Sequence, residues 1–234
     1  MTSTDIKPPT FPLRPMSGGN LDKNKFTGVG TYAFEPKVNG WRTLVHTPSG
    51  TMFNRQGERL SIEKEFAVVL ERLRTVANPH FEWLDCEAFE RRHELGRGSL
   101  VLLDPPCYPG QWKDRNSAAI LLLHATSWPF LHEPPPQNEL LTFAYHFTDY
   151  GIDKPAAGDM ALALESHALF ERFDGEDIDG LYTGWVQMKK ANRALKCELF
   201  EGLVAKRTDS LYPFQLVSPE KETSDWIKTR WRWS

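Results

Sequence analysis

The chain has 234 residues, of which 40% are hydrophobic and 25% charged, which is ordinary for a globular protein and excludes a collagen-like or wholly disordered chain. Lys plus Arg number 28 against 31 Asp plus Glu, and the net charge of −3 excludes a uniformly basic nucleic-acid coat but not a local basic face. No run approaches ~18 apolar residues and the N-terminus carries no leader pattern, so a cytoplasmic protein without a membrane span is expected. The widely spaced Cys86, Cys107 and Cys197 predict neither a disulfide framework nor a zinc site.

Prolines and glycines divide the chain into an irregular lead-in over residues 1–30 and a single domain over residues 31–234. Apolar residues at helical spacing predict a helix over 62–76, with Ser61 as its N-cap, and a short helix is expected over 116–124. Alternating or apolar segments predict strands in this half of the domain at 32–36, 41–47, 51–54, 81–89 and 99–103.

The second half of the domain continues the mixture of helices and strands. Helices are predicted over residues 159–172 and 180–194. The predicted strands are 141–147, 198–206 and 226–233. The whole pattern predicts an α+β domain with antiparallel strands and no internal repeat.

The first chemical signal is a lysine between two predicted strands. Lys37 lies three residues before Gly40, and a glycine lets a ligand approach the backbone closely. A Lys-x-x-Gly occurs about once by chance in a chain of this size, so the element needs support from other clusters. Glu87 supplies one, because it places a carboxylate at the end of an apolar strand.

Two further clusters lie near the end of the chain. One strand carries both Glu201 and Lys206, which point to opposite faces of a regular strand. A bend or twist, for which Gly202 is a plausible place, must therefore intervene if both are to contact one ligand. Lys228 and Arg230 lie two residues apart and share one face of the last predicted strand.

In chain order these residues resemble the covalent nucleotidyltransferases, the family of ATP-dependent DNA ligases, RNA ligases and messenger-RNA capping enzymes. The family pattern is lysine-x-aspartate-glycine, Arg-x-Gly, an apolar strand ending in Glu, Glu-Gly-x-x-x-Lys and a closing strand with Lys. The matching residues here are Lys37-Val38-Asn39-Gly40, Arg55-Gln56-Gly57, Glu87, Glu201-Gly202-Leu203-Val204-Ala205-Lys206 and Trp226-Ile227-Lys228. The sequences of these motifs are most similar to those of bacterial and phage ATP-dependent DNA ligases.

The resemblance implies an ATP-grasp-like nucleotidyltransferase (adenylation) domain, with antiparallel sheets flanked by helices. It implies an ATP-dependent DNA ligase that seals 5′-phosphate/3′-hydroxyl nicks in duplex DNA through a lysyl-AMP intermediate, with Mg²⁺ or Mn²⁺. An RNA ligase of the same fold and a non-catalytic module that binds nucleic-acid ends are the alternatives. The family's C-terminal oligonucleotide-binding (OB-fold) barrel is not expected in this chain, so a minimal ligase, a partner protein that supplies the missing part, or adenylyl transfer alone remain open.

The resemblance also implies roles for individual residues. Lys37 is the expected nucleophile, and because a free lysine has a pKa near ~10.4, nearby cations are needed to lower it. Lys206, Lys228 and a divalent metal are the candidates, and they also offset charge on the phosphates. The other expected nucleotide contacts are Glu35 and Pro36 near the adenine edge, Arg42 at the ribose or phosphate, Arg55 at the AMP phosphate or a 5′-phosphate, Glu87 near the ribose, Leu103 beside the base, and Arg230. Glu201 and Glu87 are the expected metal ligands, since Mg²⁺ prefers hard oxygen donors.

Two positions depart from the family pattern. Asn39 replaces the usual aspartate, keeping an acceptor oxygen but losing the charge, which favours an RNA ligase. Leu103 occupies the position of an aromatic residue that stacks on adenine, and a leucine covers a base less well. A polynucleotide also needs a basic track, and the candidate residues are Arg91, Arg92, Arg97, Lys189, Lys190, Arg193 and the segment 228–233.

Overall fold

The computed structural model describes residues 17–20, 32–76, 78–90, 93–123, 137, 140–141, 188–212 and 222–230. The predicted helix over 159–172, most of the predicted strand 141–147, and the first part of the predicted helix 180–194 lie outside these residues. Arg91, Arg92 and the last four residues of the chain lie outside them too.

Strands and helices alternate along the described residues. The strands are β1 (Ser17–Asn20), β2 (Tyr32–Val38), β3 (Trp41–His46), β4 (Thr51–Phe53), β5 (Trp83–Ala88), β6 (Leu100–Asp104), β7 (Leu140–Leu141), β8 (Phe200–Arg207) and β9 (Glu222–Arg230). The helices are α1 (Ala67–Arg74), α2 (Trp112–Leu123) and α3 over residues 188–195, with short 3₁₀ turns at Glu63–Phe66 and Pro79–Phe81.

The described strands form two sheets. The first sheet has the order β1-β9-β8-β2 and the second has the order β4-β3-β5-β6-β7. Neighbouring strands are antiparallel except for β1 with β9 and β6 with β7, which are parallel. The prediction of an α+β domain with antiparallel sheets is therefore confirmed, with two parallel pairs that the sequence pattern did not indicate.

The alternation of side chains along β5 gives the second sheet two different faces. Leu84, Cys86 and Ala88 point to one face, where they pack in the main core with Leu70 and Leu73 of α1. The intervening residues point to the opposite face. There a smaller cluster, made of Leu44, Trp83, Trp112, Tyr212 and Trp226, joins the two sheets. Each fully buried Leu or Met contributes about 1.5–3 kcal/mol, so both clusters hold the sheets in fixed positions.

Helix starts differ from their predictions. Ser61 is not an N-cap, because the helical segment opens with a 3₁₀ turn after Ile62, where no side chain caps the first turn. Helix α2 begins at Trp112 rather than at residue 116, because its first N–H groups are satisfied from outside the helix. The N–H of Trp112 donates to the carbonyl of Ser210 at 2.7 Å, which local sequence patterns do not show.

The two ends of the first sheet also differ from their predictions. Residues 17–20, expected to be irregular, form a strand in which Asn20 pairs with Lys228 of β9. Strand β9 begins at Glu222 rather than at residue 226, so it starts four residues earlier than predicted. Both differences arise because β1 and β9, which lie near opposite ends of the sequence, pair with each other.

Candidate active site

A cavity of about 290 Å³ opens between the two sheets. Its walls include every residue that the sequence predicted for catalysis, nucleotide binding or metal binding. Those residues are Glu35, Pro36, Lys37, Arg42, Arg55, Glu87, Leu103, Glu201, Lys206, Lys228 and Arg230. The structure thus brings the whole predicted set into one place, and their individual roles stay predictions. Asn39, Gly40, Trp41, Val204 and Trp226 also contribute to the walls.

The first sheet provides one wall through residues that alternate on each strand. On β9, Trp226, Lys228 and Arg230 are two residues apart and share a face. They pair with Lys206, Val204 and Gly202 of β8, in that order. On β2, Lys37 pairs with Gly202, which places it beside Arg230 across β8.

A β-bulge turns Glu201 toward the cavity. Lys37 pairs with Gly202 but Val38 pairs with Phe200, so Glu201 is the extra residue on β8. Because of this bulge, Glu201 and Lys206 both line the cavity. In a strand with strict alternation the two side chains would point to opposite faces. A bend beside Gly202 was predicted, and the shifted register confirms it.

A second bulge turns Leu103 toward the cavity from β6. Asp85 pairs with Asp104 but Cys86 pairs with Leu102, so Leu103 is the extra residue there. Its side chain lines the cavity, and its carbonyl accepts a hydrogen bond from Nζ of Lys206 at 2.6 Å. No pattern in the sequence indicated this bulge, because the segment has the apolar pattern of a regular buried strand.

Lys37 lies in a small cluster of charges. Its Nζ forms an ion pair with Oε1 of Glu201, and both side chains are 15% exposed. Arg230 approaches the same oxygen from β9 at 3.1 Å and is more exposed. The nucleophile candidate therefore contacts a carboxylate that can accept its proton, next to a second cation.

Lys206 lies on the floor of the cavity in a different environment. Its Nζ is 2.7 Å from Oε2 of Glu35 and 4.1 Å from the centre of the Trp226 ring, and its side chain is only 1% exposed. Burial raises the pKa of Glu35, against the opposing effect of Lys206. The carboxylate of Glu35 is therefore paired with Lys206. The sequence predicted that Glu35 lies near the adenine edge, but it did not predict this ion pair.

Arg42 forms a buried network that sequence reasoning missed. Its guanidinium donates two hydrogen bonds to the fully buried carboxylate of Asp85, and the hydroxyl of Tyr212 donates to the same carboxylate at 2.7 Å. Desolvation opposes the charge of Arg42, but Asp85 outweighs it and leaves the pKa of Arg42 raised. Alternation along β5 places Asp85 on the same face as Glu87, which was an available signal. Tyr212 is distant in sequence and offered none.

Glu87 lies against Gly40. A Cβ at Gly40 would come within 2.5 Å of Cγ of Glu87 and 3.0 Å of the carbonyl oxygen of Ala88. The glycine therefore makes room for Glu87; it also lines the cavity, and its predicted role in admitting a ligand stays a prediction. Burial raises the pKa of Glu87 to about 7, although Arg42 and Lys37 oppose the shift.

Asn39 is held from both sides. Its side-chain amide donates to the carbonyl of Glu198 at 3.1 Å, and its N–H donates to the carbonyl of Leu199 at 2.9 Å. Nε2 of His93 donates to the carbonyl of Asn39 at 2.6 Å. An aspartate could not donate to Glu198, so the departure from the family pattern fits this local pairing.

Arg55 reaches the cavity from the turn after β4. The side-chain oxygen of Asn54 accepts hydrogen bonds from the N–H groups of Gln56 and Glu58 at 2.9 and 3.0 Å. Gly57 completes the turn with a φ of 83°, a conformation that favours glycine. The predicted Arg-x-Gly element is thus an ordered turn that directs Arg55 to the cavity.

The charges of the cavity suit an anionic ligand. Cations outnumber carboxylates on its walls; the cations are Lys37, Arg42, Arg55, Lys206, Lys228 and Arg230, and the carboxylates are Glu35, Glu87 and Glu201. Across the described ranges, no group of three or more His, Cys, Asp or Glu side chains could hold a metal by itself. Glu87 and Glu201, the predicted metal ligands, both line the cavity, and their role stays a prediction; Mg²⁺ commonly binds to one or two carboxylates together with phosphate oxygens.

No family model matches the chain, and no curated protein matches it. Among solved structures, the ligase domain of LigD from M. tuberculosis matches 93% of this chain and 59% of that chain, with 19% identity and a TM-score of 0.48. A mycobacterial DNA ligase D complexed with ATP and MES matches 93% and 60%, with 17% identity and a TM-score of 0.47. The Chlorella virus DNA ligase-adenylate matches 92% and 68%, with 12% identity and a TM-score of 0.46.

The chain therefore spans about 60% of the length of the two mycobacterial ligase structures. These three solved structures are a ligase domain and two DNA ligases. Overlaps of this size say nothing about activity, which depends on the residues of the cavity. Among the residues that the structure describes, no helix is long and apolar enough to cross a membrane.

Proposed function

We propose that this chain is an ATP-dependent polynucleotide ligase whose ATP-grasp-like adenylation domain forms a lysyl-AMP on Lys37. One observation supports this assignment above the others. The amine of Lys37 contacts the carboxylate of Glu201 in a cavity whose other cations come from both sheets. A nucleophile, a proton acceptor and a positive surface for a polyphosphate therefore meet in one place.

In the first step, the lone pair of Nζ of Lys37 attacks the α-phosphorus of ATP. The new P–N bond forms as the bond to the bridging oxygen breaks, and pyrophosphate leaves with that electron pair. Before the attack, the ammonium of Lys37 passes one proton to Glu201, whose Oε1 already accepts its hydrogen bond, and the second proton that Nζ loses as the P–N bond forms leaves with the pyrophosphate. Lys228 and Arg230 offset the charge that develops on the phosphates.

Different residues of the cavity walls contact different parts of the nucleotide. Leu103 and Val204 offer apolar side chains from opposite sheets, which suits the faces of an adenine base. Arg42, fixed by Asp85, and Arg55, fixed by its turn, are oriented for the ribose and phosphates. Glu87 and Glu201 would hold a Mg²⁺ that arrives with the nucleotide, and the ion would supply further neutralisation of the phosphate charge.

In the second step, an oxygen of a 5′-phosphate attacks the phosphorus of lysyl-AMP. The P–N bond breaks and Lys37 leaves as an amine that takes up a proton. The 3′-hydroxyl of the adjoining strand then attacks the phosphorus of the activated 5′-phosphate and gives up its proton to solvent, while the P–O bond to AMP breaks and AMP departs. We propose nicked duplex DNA as the substrate because the sequences of the motifs are most similar to those of DNA ligases.

A pulse–chase experiment tests this proposal. Protein labelled with α-labelled ATP is separated from free nucleotide and chased with either a nicked DNA duplex or a nicked RNA duplex. We expect label to move from the protein to the 5′-phosphate of the DNA and sealed strands to follow. Transfer to RNA alone would replace the DNA assignment by an RNA ligase. Failure to label folded protein that is not already adenylated would refute the enzyme.

A further inference from the structure

Helix α3 carries a row of basic side chains on its exposed face. Its buried face consists of Met188, Ala191 and Asn192, which pack against the domain. Lys190, Arg193 and Lys196 are exposed and lie three residues apart, so they follow one another along the helix and its end. We call these three residues the basic ridge. Their side chains form no ion pair with any residue in the described ranges.

The backbone at the end of the ridge is unusual. Lys196 has a φ of 51°, and among the described residues it is the one non-glycine with a positive φ. A helix commonly ends with a glycine in this conformation, because a Cβ is disfavoured there. A lysine at this position keeps a positive charge at the helix end, where glycine would fit the backbone better.

The ridge is rigidly tied to the candidate active site. The side-chain amide of Asn192 donates to the carbonyl of Phe200 at 2.7 Å, and its oxygen accepts from the N–H of Phe200 at 3.0 Å. The next residue along β8 is Glu201. The carbonyl of Glu198, in the link between α3 and β8, holds the side chain of Asn39 on the cavity wall. Hydrogen bonds therefore join the helix that carries the basic ridge to the segments that provide Glu201 and Asn39 to the cavity wall.

We propose that the basic ridge binds the sugar-phosphate backbone of the polynucleotide whose end enters the cavity. This inference rests on the proposed function, and it assigns the substrate a second contact outside the cavity. The complementarity is electrostatic: three exposed cations at helical spacing meet a chain of phosphates, in a protein whose net charge is −3. Glu198, the acidic residue closest in sequence, is exposed, and its Oε2 accepts a hydrogen bond from the side-chain amide of Asn192 at 3.1 Å.

The test compares two variants that each lose three positive charges. The ridge variant replaces lysines and arginine by neutral residues, with asparagine at the left-handed position because it tolerates that conformation; its substitutions are Lys190→Gln, Arg193→Gln and Lys196→Asn. The control variant alters three exposed cations that do not line the cavity, with Arg59→Gln, Lys64→Gln and Arg72→Gln. Circular dichroism and thermal unfolding check that both variants fold.

Binding to a fluorescent nicked DNA duplex with a 5′-phosphate is measured from ~50 to ~200 mM salt. The slope of log affinity against log salt changes by about 0.9 for each phosphate contact, so loss of three contacts lowers its magnitude by about 2.7. Over this fourfold range of salt, the affinity of the wild type then falls about 40-fold more than that of the ridge variant. The control variant keeps the slope of the wild type.

Labelling by α-labelled ATP separates this inference from the proposed function. We expect both variants to form lysyl-AMP as the wild type does, and the ridge variant alone to be slow in passing AMP to the nick. An unchanged salt slope in the ridge variant would overturn the inference while leaving the enzyme intact. A ridge-dependent slope in a wild-type protein that forms no lysyl-AMP would support the ridge and refute the ligase.

Discussion

Replacement of Gly40 by alanine tests how the second sheet places Glu87 in the cavity. The added Cβ would lie 2.5 Å from Cγ of Glu87 and 3.0 Å from the carbonyl oxygen of Ala88. Because neither distance permits an ordinary contact, either Glu87 or the strand must move. Overpacking of this kind costs about 1–3 kcal/mol, and we expect Gly40→Ala to lower the free energy of unfolding by that amount.

A double-mutant cycle identifies the cause of this loss. In a Glu87→Ala background the closer of the two clashing groups, Cγ, is gone, and only the contact at 3.0 Å with Ala88 remains. We expect the cost of Gly40→Ala to fall below about 1 kcal/mol there, which gives a coupling energy of about 0.5–3 kcal/mol. Urea unfolding of the four proteins measures each term. Equal costs in the two backgrounds would refute the assignment of Gly40 to making room for Glu87.

The remaining predictions concern charges in and around the cavity. The pKa of Glu87 is raised to about 7 in the folded protein, so the unfolded chain loses this proton at a lower pH than the folded protein does. The free energy of unfolding of the wild type should therefore fall by up to about 3 kcal/mol relative to that of Glu87→Gln as pH rises from ~4.5 to ~7, and urea unfolding at both pH values measures this change. Asp85→Ala leaves the guanidinium of Arg42 without its carboxylate and should cost about 3–5 kcal/mol, whereas Tyr212→Phe removes one hydrogen bond to that carboxylate and should cost about 1.5–3 kcal/mol; similar losses in thermal unfolding would contradict this ranking. Asn39→Asp replaces a donor by a second acceptor and should destabilise the protein by about 1 kcal/mol, an effect that Asn39→Ala should not exceed in urea unfolding.

Strands with a clear local signal were predictable from sequence. Residues 41–47 alternate and end at a turn, and β3 occupies Trp41–His46. Residues 81–89 are mostly apolar, and β5 occupies Trp83–Ala88. Where pairing between distant segments decides the structure, the prediction was wrong: β1 forms because β9 lies beside it, and the loop around Ser210 starts α2 early.

The residues that line the cavity were predictable from the sequence, but the hydrogen bonds and strand irregularities that hold them in place were not all predictable. Resemblance in chain order named the residues, and alternation predicted that Glu201 and Lys206 need an irregular strand to share a face. No pattern in the sequence indicated the bulge at Leu103, because a bulge changes register without changing composition. The hydrogen bond from Tyr212 to Asp85 was equally hidden, since it joins residues that only tertiary packing brings together.

The most direct test of the central claim is the covalent labelling of Lys37. Purified protein, freed of any bound adenylate, is incubated with α-labelled ATP and Mg²⁺ and separated on a denaturing gel. Lys37→Ala serves as the test variant and Lys64→Ala, which removes an exposed lysine outside the cavity, as the matched control. We predict a labelled band in the wild type and in Lys64→Ala, its absence in Lys37→Ala, and AMP on Lys37 by peptide mass spectrometry. An unlabelled wild type that is folded, or a label that persists in Lys37→Ala, would contradict the account.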